Sequence, residues 1–168
     1  RFLGKVPGAL HFSFAPKPLE ETITFVLPDK GKETWEKIKS QLSVRFLLNF
    51  EDEVLYNLSG QGLVTLFGVD EAALAGVSSA ADLLTAVDAA VYLPMRDADK
   101  ANSYFAKVNA VKDLLPQGAV EFEEREGVLV ITIRQQRRAI LRIAYYEGVL
   151  AACTGDNAIA NVIGKLKS

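Results

Sequence analysis

The chain has 168 residues, 49% of them hydrophobic and 24% charged, with 19 basic residues against 21 acidic ones. That length and apolar content allow one domain with its own core, needing neither disulfides nor a structural metal, and they exclude general disorder. A net charge of −2 with no basic stripe excludes the usual nucleic-acid binder.

In chain order, Leu10, Phe12 and Phe14 alternate with His11 and Ser13, the pattern of a half-buried strand. Pro16 and Pro18 end it, and Pro18 suits the first turn of a helix. Leu19, Ile23, Val26 and Leu27 then recur at helical spacing. Pro28 to Lys32 reads as a loop, and Trp35, Ile38 and Leu42 mark a second helix. Asn49 can cap a third, with Glu51, Asp52 and Glu53 where a helix dipole favours carboxylates. Phe50, Val54, Leu55 and Leu58 form its apolar stripe. Gly60 stands where a helix end wants a left-handed residue, and a strand follows over Leu63 to Phe67.

Val69 to Leu84 is rich in Ala, Ser and Gly, and 69–84 is the candidate internal linker of an otherwise single domain over 1–168. Ala89 to Met95 is an apolar strand. Asp97 or Asp99 caps a long helix bearing Tyr104, Phe105, Val108, Val111 and Leu115, which Pro116 and Gly118 stop. Four strand segments follow: Val120 to Arg125, Val128 to Arg134, Arg138 to Tyr146 and Val149 to Cys153. A closing helix carries Ile159, Val162, Ile163 and Leu166.

Glu126-Gly127 and Glu147-Gly148 have the form of two-residue hairpin turns. They pair Phe122 with Ile131, Val120 with Ile133, Tyr145 with Leu150, and Ile143 with Ala152. A three-residue loop at Gln135 to Arg137 would pair Ile131 with Leu141 and Leu129 with Ile143. All these apolar residues then share one face, as a meander with a single core face requires. The predicted class is α+β, an antiparallel-rich sheet with a C-terminal β-meander and helices packed on one face.

The residues offer little chemistry. His11 is the sole histidine and Cys153 the sole cysteine, so multi-histidine metal sites and internal disulfides are both excluded. His11 sits opposite an apolar strand face and reads as a surface residue. Cys153 would need a nearby base or helix start to become nucleophilic; a small, inert strand cysteine fits better. Asp97-Ala98-Asp99 could hold a cation only with further oxygen ligands, and its place at a helix start reads as capping. Gly60-Gln61-Gly62 runs from helix into strand, the reverse of a dinucleotide-binding loop. Arg134, Arg137, Arg138 and Arg142 form the basic cluster, which Glu121 and Glu123 balance on the same sheet face. No catalytic residue, cofactor site or metal site is predicted.

One sheet face is apolar where a wet face should be polar. Val128-Leu129-Val130-Ile131 is apolar on both sides. The outer face then carries Val128, Val130 and Ile140 with Ala144, Val149 and Ala151, beside Thr132, Arg138 and Arg142. The predicted interaction face is Val128, Val130, Ile140, Arg138 and Arg142. Its cover would be the N-terminal segment, a second copy or a protein partner.

Three segments resemble a bacterial family of predicted exported proteins of unknown function. They are NFEDEVLYNLSGQGLVTLFG (Asn49 to Gly68), VYLPMRDADKANSYFAKV (Val91 to Val108) and AYYEGVLAACTGDNAIANVIGKL (Ala144 to Leu166). The resemblance implies an envelope or extracellular protein, often one module of a longer chain, and brings no catalytic residues. The arginines of Arg134 to Arg138 depart from the family pattern. No segment has the apolar length of a membrane-spanning helix. The chain opens on Arg1 and its only methionine is Met95, so a natural start is expected outside this sequence. The expected function is a non-enzymatic interaction or structural module of an envelope or exported protein that binds a protein partner or itself. The alternative is a binding domain for a small apolar or anionic ligand.

Overall fold

The computed structural model describes residues 9–15, 29–115, 118, 120–135, 138–155 and 158–168. The fold is α+β, built on a seven-stranded antiparallel sheet. Its strands are β1 (Ala9–Ser13), β2 (Gln61–Val69), β3 (Val87–Pro94), β4 (Val120–Arg125), β5 (Val128–Gln135), β6 (Arg138–Tyr146) and β7 (Val149–Thr154). Its helices are α1 (Asp29–Phe46), α2 (Glu71–Ala75), α3 (Ala80–Ala86), α4 (Ala98–Val111) and α5 (Ala158–Leu166). The spatial order is β1-β2-β3-β7-β6-β5-β4, so β3 and β7 join an N-terminal half-sheet to the C-terminal meander. The helix expected over Leu19 to Leu27 lies outside the described residues.

Both hairpin turns form as the sequence implies. Glu126 and Gly127 have φ of 52° and 79°, and Glu147 and Gly148 have 42° and 82°. Positive φ at both central residues matches the twist of the flanking strands. Pairing places Phe122 opposite Ile131, Val120 opposite Ile133, Tyr145 opposite Leu150 and Ile143 opposite Ala152. The β5–β6 register differs from the expectation. Ile131 faces Ile143 and Leu129 faces Tyr145, while Arg134 faces Ala139 and Gln135 faces Arg138. Ile140 is skipped in the ladder between Leu141 and Ala139. The pairing of Gln135 with Arg138 and the bulge at Ile140 each move the register by one, and the total shift of two keeps the apolar set on its face.

Helices cover both sheet faces, where the sequence had predicted one. On the first face, α1, the turn at Glu51–Leu55 and α4 bury Ile38, Leu42, Val54, Tyr104, Phe105 and Val108 against Leu129, Ile131, Ile133 and Tyr145. On the second, α5 lies across β3, β7 and β6 and buries Ile159, Val162, Ile163 and Leu166. The reason lies in β5: its consecutive apolar residues give each face a buried row, Leu129 and Ile131 on one side, Val128 and Val130 on the other. Beneath α5 the sheet offers Ala90, Ala144, Ala151 and Cys153, small side chains that let the helix approach closely.

The connection into the first face is clamped locally. Asn49 Oδ1 accepts from the Asp52 amide at 3.2 Å, and Glu53 Oε1 accepts from the Asn49 amide at 3.1 Å. The predicted cap therefore holds, but the turn it starts is a π-turn, with the Tyr56 amide donating to the Glu51 carbonyl at 2.8 Å. Gly62 leaves room for the Phe12 ring, with which a Cβ there would collide.

The stretch considered as a linker holds α2 and α3, capped by Asp70 and Ser79. It connects β2 to β3, adjacent antiparallel strands of the one sheet, so no boundary between separate sheets falls there.

Candidate functional site

The sheet keeps the two reactive side chains apart. Cys153 lies level with Ala90 on β3, and His11 level with Leu63 on β2. Three inter-strand steps separate β7 from β1, roughly 14 Å at the usual strand spacing. Burial pushes the Cys153 thiol up to about 12; Arg142 pulls against this and Asp88 adds to it. A thiol held protonated, with its histidine across the sheet, is not a nucleophile at neutral pH. His11 is exposed on the outermost strand.

Asp97 is a cap: its Oδ1 accepts from the Lys100 amide at 2.9 Å. Among the described residues, no group of three or more His, Cys, Asp or Glu could hold a metal ion. Arg134 Nε donates to Glu121 Oε2 at 2.9 Å across the sheet surface. Arg142 Nη1 donates to the Gly155 carbonyl at 2.7 Å, tying β6 to the chain just before α5. Arg137 lies outside the described residues, and Arg138 pairs through its backbone with Gln135.

The predicted interaction face is not a free surface. Val130 is 0% exposed and Val128 is equally buried, both in the core beneath α5. This face is covered, but by the chain's own C-terminal helix and not by the N-terminal segment, second copy or partner expected from the sequence. Ile140, 3% exposed, belongs to the opposite core, because the bulge turns it away from Val128 and Val130. A partner contact centred on Val128, Val130 and Ile140 is therefore ruled out in the folded chain, and with it the place of Arg142 at such a rim.

A shallow open groove of about 190 Å³ lies between α4 and the two hairpin turns, lined by Asn102, Phe105, Glu124, Leu129 and Tyr145 among others. Four of its polar side chains, Asn102, Asn109, Glu124 and Tyr145, are tied to one another or to backbone. Tyr145 donates its hydroxyl proton to Asn102 Oδ1 at 2.6 Å and accepts from the Gly148 amide at 3.1 Å. Asn109 Nδ2 donates to Glu124 Oε2 at 2.8 Å, and Phe105 stacks on Tyr145 with ring centroids 3.9 Å apart. Small-molecule sites usually enclose about 300–1,000 Å³, so this groove fits a packing seam better than a ligand pocket.

Exposed large apolar side chains include Leu10, Val44, Leu47, Tyr56 and Leu114 as well as four on adjoining elements. Leu66 is 57% exposed, Val69 46%, Leu74 42% and Leu83 46%. Leu66 and Val69 are on β2, Leu74 on α2 and Leu83 on α3. The elements are neighbours: α2 packs on α3, α3 on β3, and β2 pairs with β3. The charge carried by β2, α2, α3 and β3 themselves has one sign, although α3 also packs on β6, which carries Arg138 and Arg142. Between Arg45 and Arg96 there is no Lys or Arg, while seven carboxylates fall there, at Glu51, Asp52, Glu53, Asp70, Glu71, Asp82 and Asp88. Among the described residues, the Asp70 and Asp82 carboxylates accept hydrogen bonds within their own helix starts, from Ala73 and from Ser78 and Ser79. Those hydroxyls and amides hold the Asp82 carboxyl below its ordinary value, so it stays ionised. This surface was not among the sequence-based expectations, although the basic gap is legible in the sequence; a balanced total charge conceals it.

No protein-family model, curated protein or solved structure matches this chain. No described helix is long and apolar enough to cross a membrane.

Proposed function

We propose that this chain is a non-catalytic interaction module and that, as the sequence resemblance implies, it serves an exported or envelope protein of a bacterium. The observation that supports it most is the contrast between the two kinds of apolar surface. Both faces of the sheet are covered by the chain's own helices, yet Leu66, Val69, Leu74 and Leu83 stand open on adjoining elements. Clustered exposed apolar side chains rimmed by charge mark contact sites in soluble domains. The separation of His11 from a buried, protonated Cys153 speaks against nucleophilic catalysis by that pair. The small groove beside α4 gives the alternative, a small-ligand domain, little room.

The test is site-specific photo-crosslinking in the source cells, with the photoreactive residue at Leu83 or, as a control, at Leu114. Leu114 is also exposed but follows α4, outside the cluster. A discrete adduct from position 83 and none from position 114 is expected. Equal yields at both positions, or none at either, would contradict the proposal.

A further inference from the structure

We infer that the surface formed by Leu66, Val69, Leu74 and Leu83 takes a cationic amphipathic segment of another protein, one whose apolar side chains are flanked by Lys or Arg. This rests on the interaction-module reading and adds the chemistry of the partner.

The inference follows from charge. The nearest carboxylates in sequence are Asp70 and Glu71, between Val69 and Leu74, and Asp82, next to Leu83. No basic residue occurs between Arg45 and Arg96 to neutralise them from within the same elements. The three are not ion-paired among the described residues.

Three occupants can be compared. A second copy meeting the first through this same surface would set carboxylates against carboxylates, and like charges brought together across an interface disfavour association. An anionic bilayer would be repelled for the same reason. A segment with apolar residues flanked by cations gains twice: its apolar side chains leave water, and its charges meet fixed carboxylates whose attraction also speeds encounter. A helix laid across an apolar surface through spaced anchors is a common form of such recognition.

The experiment measures binding of the purified chain to two synthetic helical peptides, one of Leu and Lys and one of Leu and Glu, by fluorescence anisotropy at low and high salt. The Leu–Lys peptide should bind at least about tenfold more tightly than the Leu–Glu peptide, and added salt should weaken it. Replacing Leu74 and Leu83 together by Ser should weaken binding about tenfold or more. Asp70→Asn with Glu71→Gln should also weaken it and flatten its salt dependence; asparagine still caps α2, so folding is preserved.

Equal binding of the two peptides, or no effect of the charge variant, would overturn the cationic partner while leaving the module reading intact. A dimer of the pure chain that dissolves on Leu83→Ser would overturn it in favour of a second copy. Preference for phosphatidylglycerol vesicles over the Leu–Lys peptide would overturn it in favour of a lipid surface. Failure of the module reading itself would be seen separately, in the loss of position-specific crosslinking at Leu83.

Discussion

Asn57 holds both backbone groups of Asp97, forty residues away: its Nδ2 donates to the Asp97 carbonyl at 2.7 Å and its Oδ1 accepts from the Asp97 amide at 2.9 Å. The Arg96 amide adds a bond to the Asn57 carbonyl at 2.7 Å, and Leu58 bridges to Met95. This clamp fixes the start of α4 beside the π-turn and aligns the two elements that cover the first sheet face. Asn57 is 6% exposed, so neither end of its amide can turn to water without opening the core.

Asn57→Ala should therefore lower stability by about 2–4 kcal/mol, from two lost hydrogen bonds and backbone groups left unpaired. Urea unfolding of the variant measures this. Asp97→Asn keeps the cap to Lys100 and should cost less than about 1 kcal/mol.

Close approach of α5 to the small residues of β3, β7 and β6 gives a second prediction. Ile163→Ala should cost about 2–5 kcal/mol for the cavity it leaves. Ala151→Leu adds volume beneath the helix and should cost about 1–3 kcal/mol. Thermal unfolding distinguishes a covered face, where both lose stability, from an open one, where Ala151→Leu would be neutral.

The C-terminal sheet was largely legible in the sequence, and the reasons are local. Alternation in β4, β5 and β6 with a Glu-Gly pair at each tight turn sets the register of two hairpins. Lost to that reasoning was the bulge at Ile140, because no glycine or other residue marks it; the β5–β6 pairing was therefore misplaced by two positions and Ile140 assigned to the wrong face. Pairings between distant segments, such as β3 with β7, leave no local trace. The double-sided apolar pattern of β5 correctly required a cover. The sequence also contained that cover, in the strongly apolar stripe of α5, yet both were counted for a single face. The candidate contact surface was missed because α2 and α3 lie in an alanine-rich stretch that reads as a connection.

The buried thiol and phenol predict the alkaline limit of stability. Burial pushes Cys153 from 9.0 up to about 12, and burial, with Cys153 beside it, pushes Tyr92 from 10.0 to about 12. Below about pH 9 both groups are protonated in the folded and unfolded chain, and their contribution is constant. Above it the unfolded chain releases protons that the folded chain retains, so stability falls between about pH 9 and 12. Cys153→Ala should flatten part of this decline in unfolding measured against pH. The same burial predicts that Cys153 resists iodoacetamide in the native state and reacts once the chain is unfolded.

Glu147 at φ 42° occupies a conformation that suits asparagine better. Glu147→Asn should raise stability by up to about 1 kcal/mol, since the left-handed position costs about 1–2 kcal/mol for most side chains. The equivalent change at Glu126 should gain less, because Lys167 Nζ bonds to its carboxylate at 3.4 Å and its carbonyl at 3.2 Å.

The central claim is that the sheet is closed by the chain's own helices, with the β2–α2–α3 end as the candidate contact surface. Thermal melting of Val130→Asp beside Leu83→Asp tests it most directly. Val130→Asp places a carboxylate with no partner beneath α5 and should leave little or no cooperative melt at 37 °C, since such burial costs more than about 4 kcal/mol. Leu83→Asp should melt like the parent chain, within about 0.5 kcal/mol, as surface changes do. A Val130→Asp chain that melts like the parent would contradict the covered sheet and return the outer face of the meander to candidacy as the contact surface.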